Sequence, residues 1–508
     1  MAEQSRTGNS IRNAVFSIGG YAVTMILQLV GRRVFLITLS NEYLGLGGLF
    51  YSILSMLALS ESGIGTAMVY ALYKPIAENN QAKIKSLMAL YKKMYTIIGI
   101  FILTVGVMVT PFLQYLIKDM PDIKYIKLYF MLYVFNSAFS YFCTYKRSLI
   151  VCNQKEYIST TTVTIASMTT RILQIIVLLL TGNYALYLIV QIVVTVAENL
   201  WISHIAGKMY PYIKEKDIEP LDKKDVSSIK KSIAAMFGHK IGDVVVNTTD
   251  SLIVSRILGL TAVGLFSNYN LILTNIQAII NKVIYSLNAS VGNLTASSDK
   301  KHSEKILNNI VFMTYLLQCF VTTTLMVIVQ DFITLWVGKD YLLENAVVAI
   351  FIVNLYVTVM KAPVLIFRNA TGTFWNDRYK PICESIVNLV VSIPLTITMG
   401  IGGVKLGTLI STLSVAFWWE AYALYKYYFG KKVVGYLLKQ VKYACVTAIC
   451  IVITYSLCSV IHAQLIVQLA VKAVISLTIT VLINFILFCR TEEFLFLKNK
   501  VMNIIKKS

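Results

Sequence analysis

Lys240, Asp243, Asn247 and Asp250 stand at i, i+3, i+7 and i+10 within one largely apolar stretch. On a helix this spacing puts all four on one face. Such a stripe must look into water or toward charged partners, because a charge in hydrocarbon costs several kcal/mol by most estimates. Lys240 and Asp243 can neutralise each other, and Asp250 then needs a cation from another helix. The next apolar stretch carries Asn268, Asn275, Lys282 and Asn288, spaced 7, 7 and 6. Buried amides tie helices together in a membrane or bind a polar solute, and this ladder suits both roles. Arg32 and Arg33 are adjacent and point about 100° apart, so one can snorkel while the other faces a cavity. Arginine keeps its charge and grips phosphate with a planar fork. Arg256 holds the equivalent place in the second half. Lys146 and Arg147 either add to this set or merely mark the end of their span. Glu61 lies in Glu61-Ser62-Gly63-Ile64-Gly65-Thr66, where glycines beside an acid weaken a helix, as a gate, an ion site or a packing notch would require.

The elements that must position these groups follow from composition. Of 508 residues, 57% are hydrophobic and 14% charged, against about a quarter charged in soluble proteins. Mean hydropathy is +0.68, and too few polar residues exist to coat several soluble cores. The chain reads as an all-α polytopic membrane protein. With a ruler of about 20 apolar residues, fourteen spans are predicted. The first six are 14–39, 44–73, 94–117, 128–145, 159–180 and 184–205. The next six are 233–258, 260–294, 306–330, 346–367, 382–401 and 406–425, and 443–461 and 465–488 close the series. Pro111, Pro363 and Pro394 are hinge candidates.

The 46 Lys and Arg exceed the 25 Asp and Glu. A nucleic-acid binder would gather them on a soluble face. Here 33 fall on one side of the predicted membrane and 5 on the other, which places both termini in the cytoplasm. Eight lie inside spans: Arg32, Arg33, Arg171, Lys240, Arg256, Lys282, Lys361 and Lys472. The acids inside spans are Glu61, Glu198, Asp243, Asp250, Glu384 and Glu420. The N-terminus is polar through Ser10 and its first apolar run exceeds a signal h-region, so helix 1 reads as a permanent anchor.

The predicted organisation is a six-helix N-lobe (1–210), a cytoplasmic linker (211–225), a six-helix C-lobe (226–430), and a C-terminal helix pair with a cytoplasmic tail (431–508). With an offset of 216, Leu44, Gly48, Leu49 and Phe50 match Leu260, Gly264, Leu265 and Phe266. Six helices per lobe make the repeat parallel, and a cation-lined cavity is expected at the lobe interface.

The eight cysteines form no CxxC pair and have no ligand-spaced histidine, so they read as apolar filler rather than a metal site or disulfide frame. No phosphate-cradling G-x-x-x-x-G-K-[ST] motif occurs. Uphill transport would then draw on an ion gradient, the membrane potential or substrate supply, with Glu61, Asp243 and Asp250 as the acids that couple or gate a cation, H+ or Na+. No cofactor is expected. The outward loops are too short for a catalytic domain, so no enzyme is expected.

Glu61-Ser62-Gly63-Ile64-Gly65-Thr66-Ala67 with Tyr70 and Tyr73-Lys74-Pro75 resembles the end of the second helix in bacterial polysaccharide exporters of the multidrug/oligosaccharidyl-lipid/polysaccharide superfamily. Arg147-Ser148-Leu149-Ile150 with Asn153-Gln154-Lys155 is similar too, as is Leu258-Gly259 with Val263-Gly264 and Ser267-Asn268-Tyr269. The resemblance covers most of 11–425. It implies a flippase for undecaprenyl-pyrophosphate-linked oligosaccharide in the bacterial cytoplasmic membrane, working by alternating access and built with twelve or fourteen helices. By position, Arg32, Arg33 and Arg256 are similar to cavity cations that meet the anionic head group. Arg147 and Lys240 are expected to join them, with Asn247, Asn268 and Asn275 meeting sugars. Expected partners are the lipid-linked oligosaccharide, membrane lipids, a coupling cation, and a glycan polymerase or glycosyltransferases, with no nucleic acid. A cation-coupled drug antiporter of the same superfamily is the nearest rival and would want an acid-dominated cavity. A membrane glycan polymerase is the more distant one.

Overall fold

Apolar runs long enough to cross a bilayer must satisfy their backbone groups internally, and the helix does so. In a computed structural model of the chain, the described residues are 6–61, 63–118, 121–153, 155–215, 218–297, 299–373, 376–461 and 463–505, with no strand among them. Each of the fourteen predicted spans falls on one helix or on several helical segments in sequence. Among the described residues, eleven helical stretches are long and apolar enough to cross a membrane by themselves. The remaining three predicted spans start on the helices Ile126–Cys152, Lys223–Leu258 and Leu260–Tyr285. The last two carry the polar stripe and the ladder from Asn268 to Lys282, with Asn288 opening the next helix. This is a multi-pass membrane protein.

Packing divides the chain into Met1–Gly264 and Leu265–Ser508. The first unit contains α1 (Arg6–Thr38), α2 (Asn41–Leu57), α3 (Ile64–Ala77), α4 (Gln81–Val109), α5 (Leu113–Leu116), α6 (Ile126–Cys152), α7 (Glu156–Thr181), α8 (Tyr184–Met209), α9 (Lys223–Leu258) and the first turn of α10 (Leu260–Tyr285). Helix α6 packs on α4 and α8, α7 on α1 and α8, and α9 on α2, α3 and α5. At its core Phe50 meets Phe130 and Tyr133.

The start of the second stretch matched at an offset of 216 meets the first stretch and its flank inside this unit. A Cβ on Gly45 would overlap the Leu260 carbonyl, and one on Gly264 would overlap Asn41. The Asn41 amide donates to the Thr261 carbonyl at 2.8 Å. Helix α2 ends in a 3-10 turn, Ala58–Glu61. Gly63 then takes φ 89° before α3 starts, a left-handed conformation that glycine adopts without a Cβ clash.

In the second unit α11 (Asn288–Ser297) leads to the long α12 (Lys300–Trp336), followed by α13 (Asn345–Met360), α14 (Ala362–Thr371), α15 (Lys380–Met399), α16 (Ile401–Ser411), α17 (Phe417–Ala423), α18 (Val434–Cys458), α19 (Leu465–Phe488) and α20 (Glu492–Ile505). Helix α12 packs on α13, α18, α19 and α20. The C-terminal pair is anchored where Tyr315 stacks on Tyr443 at 4.2 Å and donates to Asn484 at 2.6 Å. Two π-helical segments, Thr412–Ala416 and Leu424–Phe429, flank α17.

Candidate functional site

Within the first unit, α6, α7 and α8 line a half-open cavity of about 270 Å³. Its polar wall is Arg147, Ser167, Thr170, Arg171, Gln191, Thr195 and Glu198. Ser167, Thr170 and Arg171 share one face of α7 by their 3 and 4 spacing, and Gln191, Thr195 and Glu198 do the same on α8. Arg147 is ion-paired with Glu198 at 2.5 Å, so the net charge of the lining rests on Arg171. Arg171 bonds to the Tyr187 hydroxyl, and Arg32 of α1 lies within its electrostatic reach. Beside them the Tyr133 and Tyr184 hydroxyls are 3.2 Å apart, and the Gln174 amide donates to the Tyr187 carbonyl at 3.3 Å. A guanidinium, an amide and hydroxyls around one void can bind a phosphate or sugar hydroxyls.

Glu61 stands at the break between α2 and α3. The Tyr95 hydroxyl donates to Glu61 Oε1 at 2.5 Å and the Tyr141 hydroxyl to Oε2 at 3.3 Å. Tyr91 continues the chain, 3.4 Å from the Tyr95 oxygen and 3.1 Å from Ser148 Oγ. Gly65 makes room for this clasp, because a Cβ there would lie 3.0 Å from the Tyr95 hydroxyl.

The structure brings Arg32 and Arg147 to the neighbourhood of one cavity, with Arg171 joining them. Sequence reasoning placed Arg171 inside a span but assigned it no role. Its i−4 and i−1 relation to Ser167 and Thr170 was the available signal. The tyrosine clasp was also missed, although Tyr91 and Tyr95 at i and i+4 announce a shared face. Arg33 and Arg256 are exposed and do not line the cavity. Asp250 is buried in the first unit. Asn268 and Asn275 are buried in the second, where the Asn275 amide donates to Leu271 of its own helix at 2.8 Å. The side chains of Lys240, Asp243 and Asn247 lie outside the described residues.

The second unit gathers three of its span charges, Lys361, Glu384 and Glu420, into one network with Arg368, Asp377 and Lys380 from the segment between two predicted spans. Arg368 pairs with Asp377 at 2.6 Å and approaches Glu420 at 3.8 Å. Lys380 pairs with Glu420 at 2.8 Å and Glu384 at 3.2 Å. Lys361 acts electrostatically on Glu420. Three cations thus face three carboxylates, which explains how these charges are tolerated away from water. Lys472 pairs with Asp331 at 2.6 Å. Among the described residues no group of three or more His, Cys, Asp or Glu is placed to hold a metal.

Residues 10–288, more than half of the chain, match the family model described as polysaccharide biosynthesis protein. The chain belongs to that family. This polysaccharide biosynthesis family member shares its fold with solved transporters of the MOP superfamily. A structure described as lipid II flippase MurJ in an inward closed conformation superposes with a TM-score of 0.70 at 13% identity, covering 93% of this chain and 99% of the other. An inward-facing multidrug resistance MATE family transporter gives 0.61 at 13% identity, covering 80% and 97%. A MOP superfamily transporter from Pyrococcus furiosus, whose binding pocket is described as having reverse polarity, gives 0.52 at 13% identity, covering 81% and 94%. No curated protein matches the chain in sequence.

Proposed function

We propose that this family member flips an undecaprenyl-pyrophosphate-linked oligosaccharide from the inner to the outer leaflet by alternating access, without covalent chemistry. The observation that carries the reading is the cavity of the first unit, with Arg171 as its net charge and Gln191, Ser167, Thr170 and Thr195 beside it. A pyrophosphate crossing a low-dielectric core needs fixed cations along its route. Sugars need amides and hydroxyls. Arg32 extends the positive wall, and Arg33, Arg256 and Lys240 are further cations for the head group. Asn247, Asn268 and Asn275 are the proposed sugar contacts.

The Glu61 clasp supports coupling to H+ or Na+, with Asp243 and Asp250 as further coupling acids. An ionised Glu61 accepts from two tyrosines, and a proton or sodium ion at either oxygen competes with one of those bonds. Loading would therefore loosen the clasp at the α2–α3 break. The site of action is the bacterial cytoplasmic membrane, beside the glycan polymerase and glycosyltransferases that use the same lipid carrier.

Deleting the protein should strand lipid-linked oligosaccharide on the inner leaflet. Arg171→Ala should lower export at least about tenfold, the equivalent of 1.4 kcal/mol, with unchanged protein level, and Arg171→Lys should restore part of it. Normal export in the deletion strain would overturn the reading. The Glu61 acid site also suits a cation-coupled drug antiporter. That rival predicts that Glu61→Gln or Asp250→Asn abolishes drug resistance while surface glycan stays intact.

A further inference from the structure

The last helix, 14 residues long, is too short to span a bilayer and is tied back to the protein. Only three residues separate the end of α19 from the start of α20, so the first turn of α20 must sit at the surface of whatever layer α19 crosses. Phe494 returns to the end of α19, with its ring 5.9 Å from Phe485. The acidic first turn is consumed by the protein itself: Glu492 pairs with Lys305 and Glu493 with Lys439, both at 3.0 Å. What remains on the helix and its flanks is basic, namely Arg490, Lys498 and Lys500, with Lys506 and Lys507 following in the sequence. Leu495 and Met502, seven residues apart and so on one face, are 45% and 42% exposed, and Lys498 lies between them. An apolar ridge bordered by lysines that, among the described residues, no carboxylate pairs complements one partner in charge and in geometry.

We infer that α20 lies in the membrane interface and binds anionic lipid head groups through Arg490, Lys498 and Lys500, with Leu495 and Met502 seated among the upper acyl carbons. Basic segments next to spans gain about fivefold in surface affinity per cation on anionic membranes, and the gain falls with salt. The partner is a lipid surface rather than free phosphate, because the apolar ridge needs acyl chains to cover it.

The test uses the full chain in nanodiscs, either of phosphatidylcholine alone or with phosphatidylglycerol added, read by amide hydrogen exchange over 492–502. Exchange should slow at least about fivefold with the anionic lipid. The gain should vanish in Lys498→Glu/Lys500→Glu and shrink in Leu495→Asp. Inorganic phosphate added to the phosphatidylcholine discs should not reproduce it. Unchanged exchange in α18 and α19 shows that the variants fold. Equal exchange in the two lipids, or a lipid effect that survives the double charge reversal, overturns the inference.

Discussion

At the scale of single residues, space and charge pairing decide what can be changed. Gly45 leaves no room for a methyl group beside the Leu260 carbonyl. Overpacking costs about 1–3 kcal/mol, and more where backbone must move. Gly45→Ala should therefore lower the midpoint of thermal unfolding in detergent by several degrees. Gly19, in α1, has open space around it, and Gly19→Ala should hold or raise the midpoint, since alanine is the better helix former by about 1 kcal/mol. The Lys380–Glu420 pair gives a second contrast. Glu420 is 2% exposed and Lys380 5%, and removing one partner of a buried pair costs about 3–5 kcal/mol. Glu420→Gln should destabilise strongly, and Lys380→Met in the same chain should recover part of the loss in a denaturant titration. The sequence made Glu384, Glu420 and Lys361 conspicuous as charges inside spans; the Lys380–Glu384 pair is local, four residues apart on α15, whereas the pairing of Glu420 stayed hidden because its partners come from other helices.

At the scale of elements, α20 offers a pH handle. Burial opposes ionisation of Glu493, but its backbone hydrogen bond and the Lys439 ammonium prevail and hold the carboxyl below the usual range. A group depressed in the folded state stabilises it above the unfolded pKa, about 4.3 for Glu. That contribution is lost as pH falls through the lower, folded value. Docking of α20 on α18 should be at full strength at neutral pH and weaken progressively below about pH 4. Tryptophan introduced at Phe494 would report this as an emission shift, which Glu493→Gln should remove. The glycines beside Glu61 pointed to a weakened helix within the single span 44–73, because local backbone cost is encoded locally, and the structure goes further by breaking it into α2 and α3. The tyrosines that clasp Glu61 come from α4 and α6, and no local rule points to them.

At the scale of the whole molecule, the 33 to 5 division of basic residues predicts that both termini face the cytoplasm. A fluorescent protein fused to either end should fluoresce, and alkaline phosphatase at the same positions should be inactive; an active phosphatase at one end would require an odd number of spans. All fourteen predicted spans fall on helices because the hydrophobic period and length of each run act over a few turns and answer only to the bilayer. The chain's own order of residues thus settled that it is helical, that it crosses a membrane repeatedly, and that it resembles the polysaccharide family whose model it matches. Tertiary packing alone decided that Arg171 rather than Arg33 or Arg256 stands at the cavity with Arg147, that Glu61 is held by two tyrosines, and that three cations and three acids of the second unit cancel. Those outcomes depend on which helices become neighbours and how they are rotated, and side chains tens or hundreds of residues apart leave no periodic trace of their meeting in a single sequence.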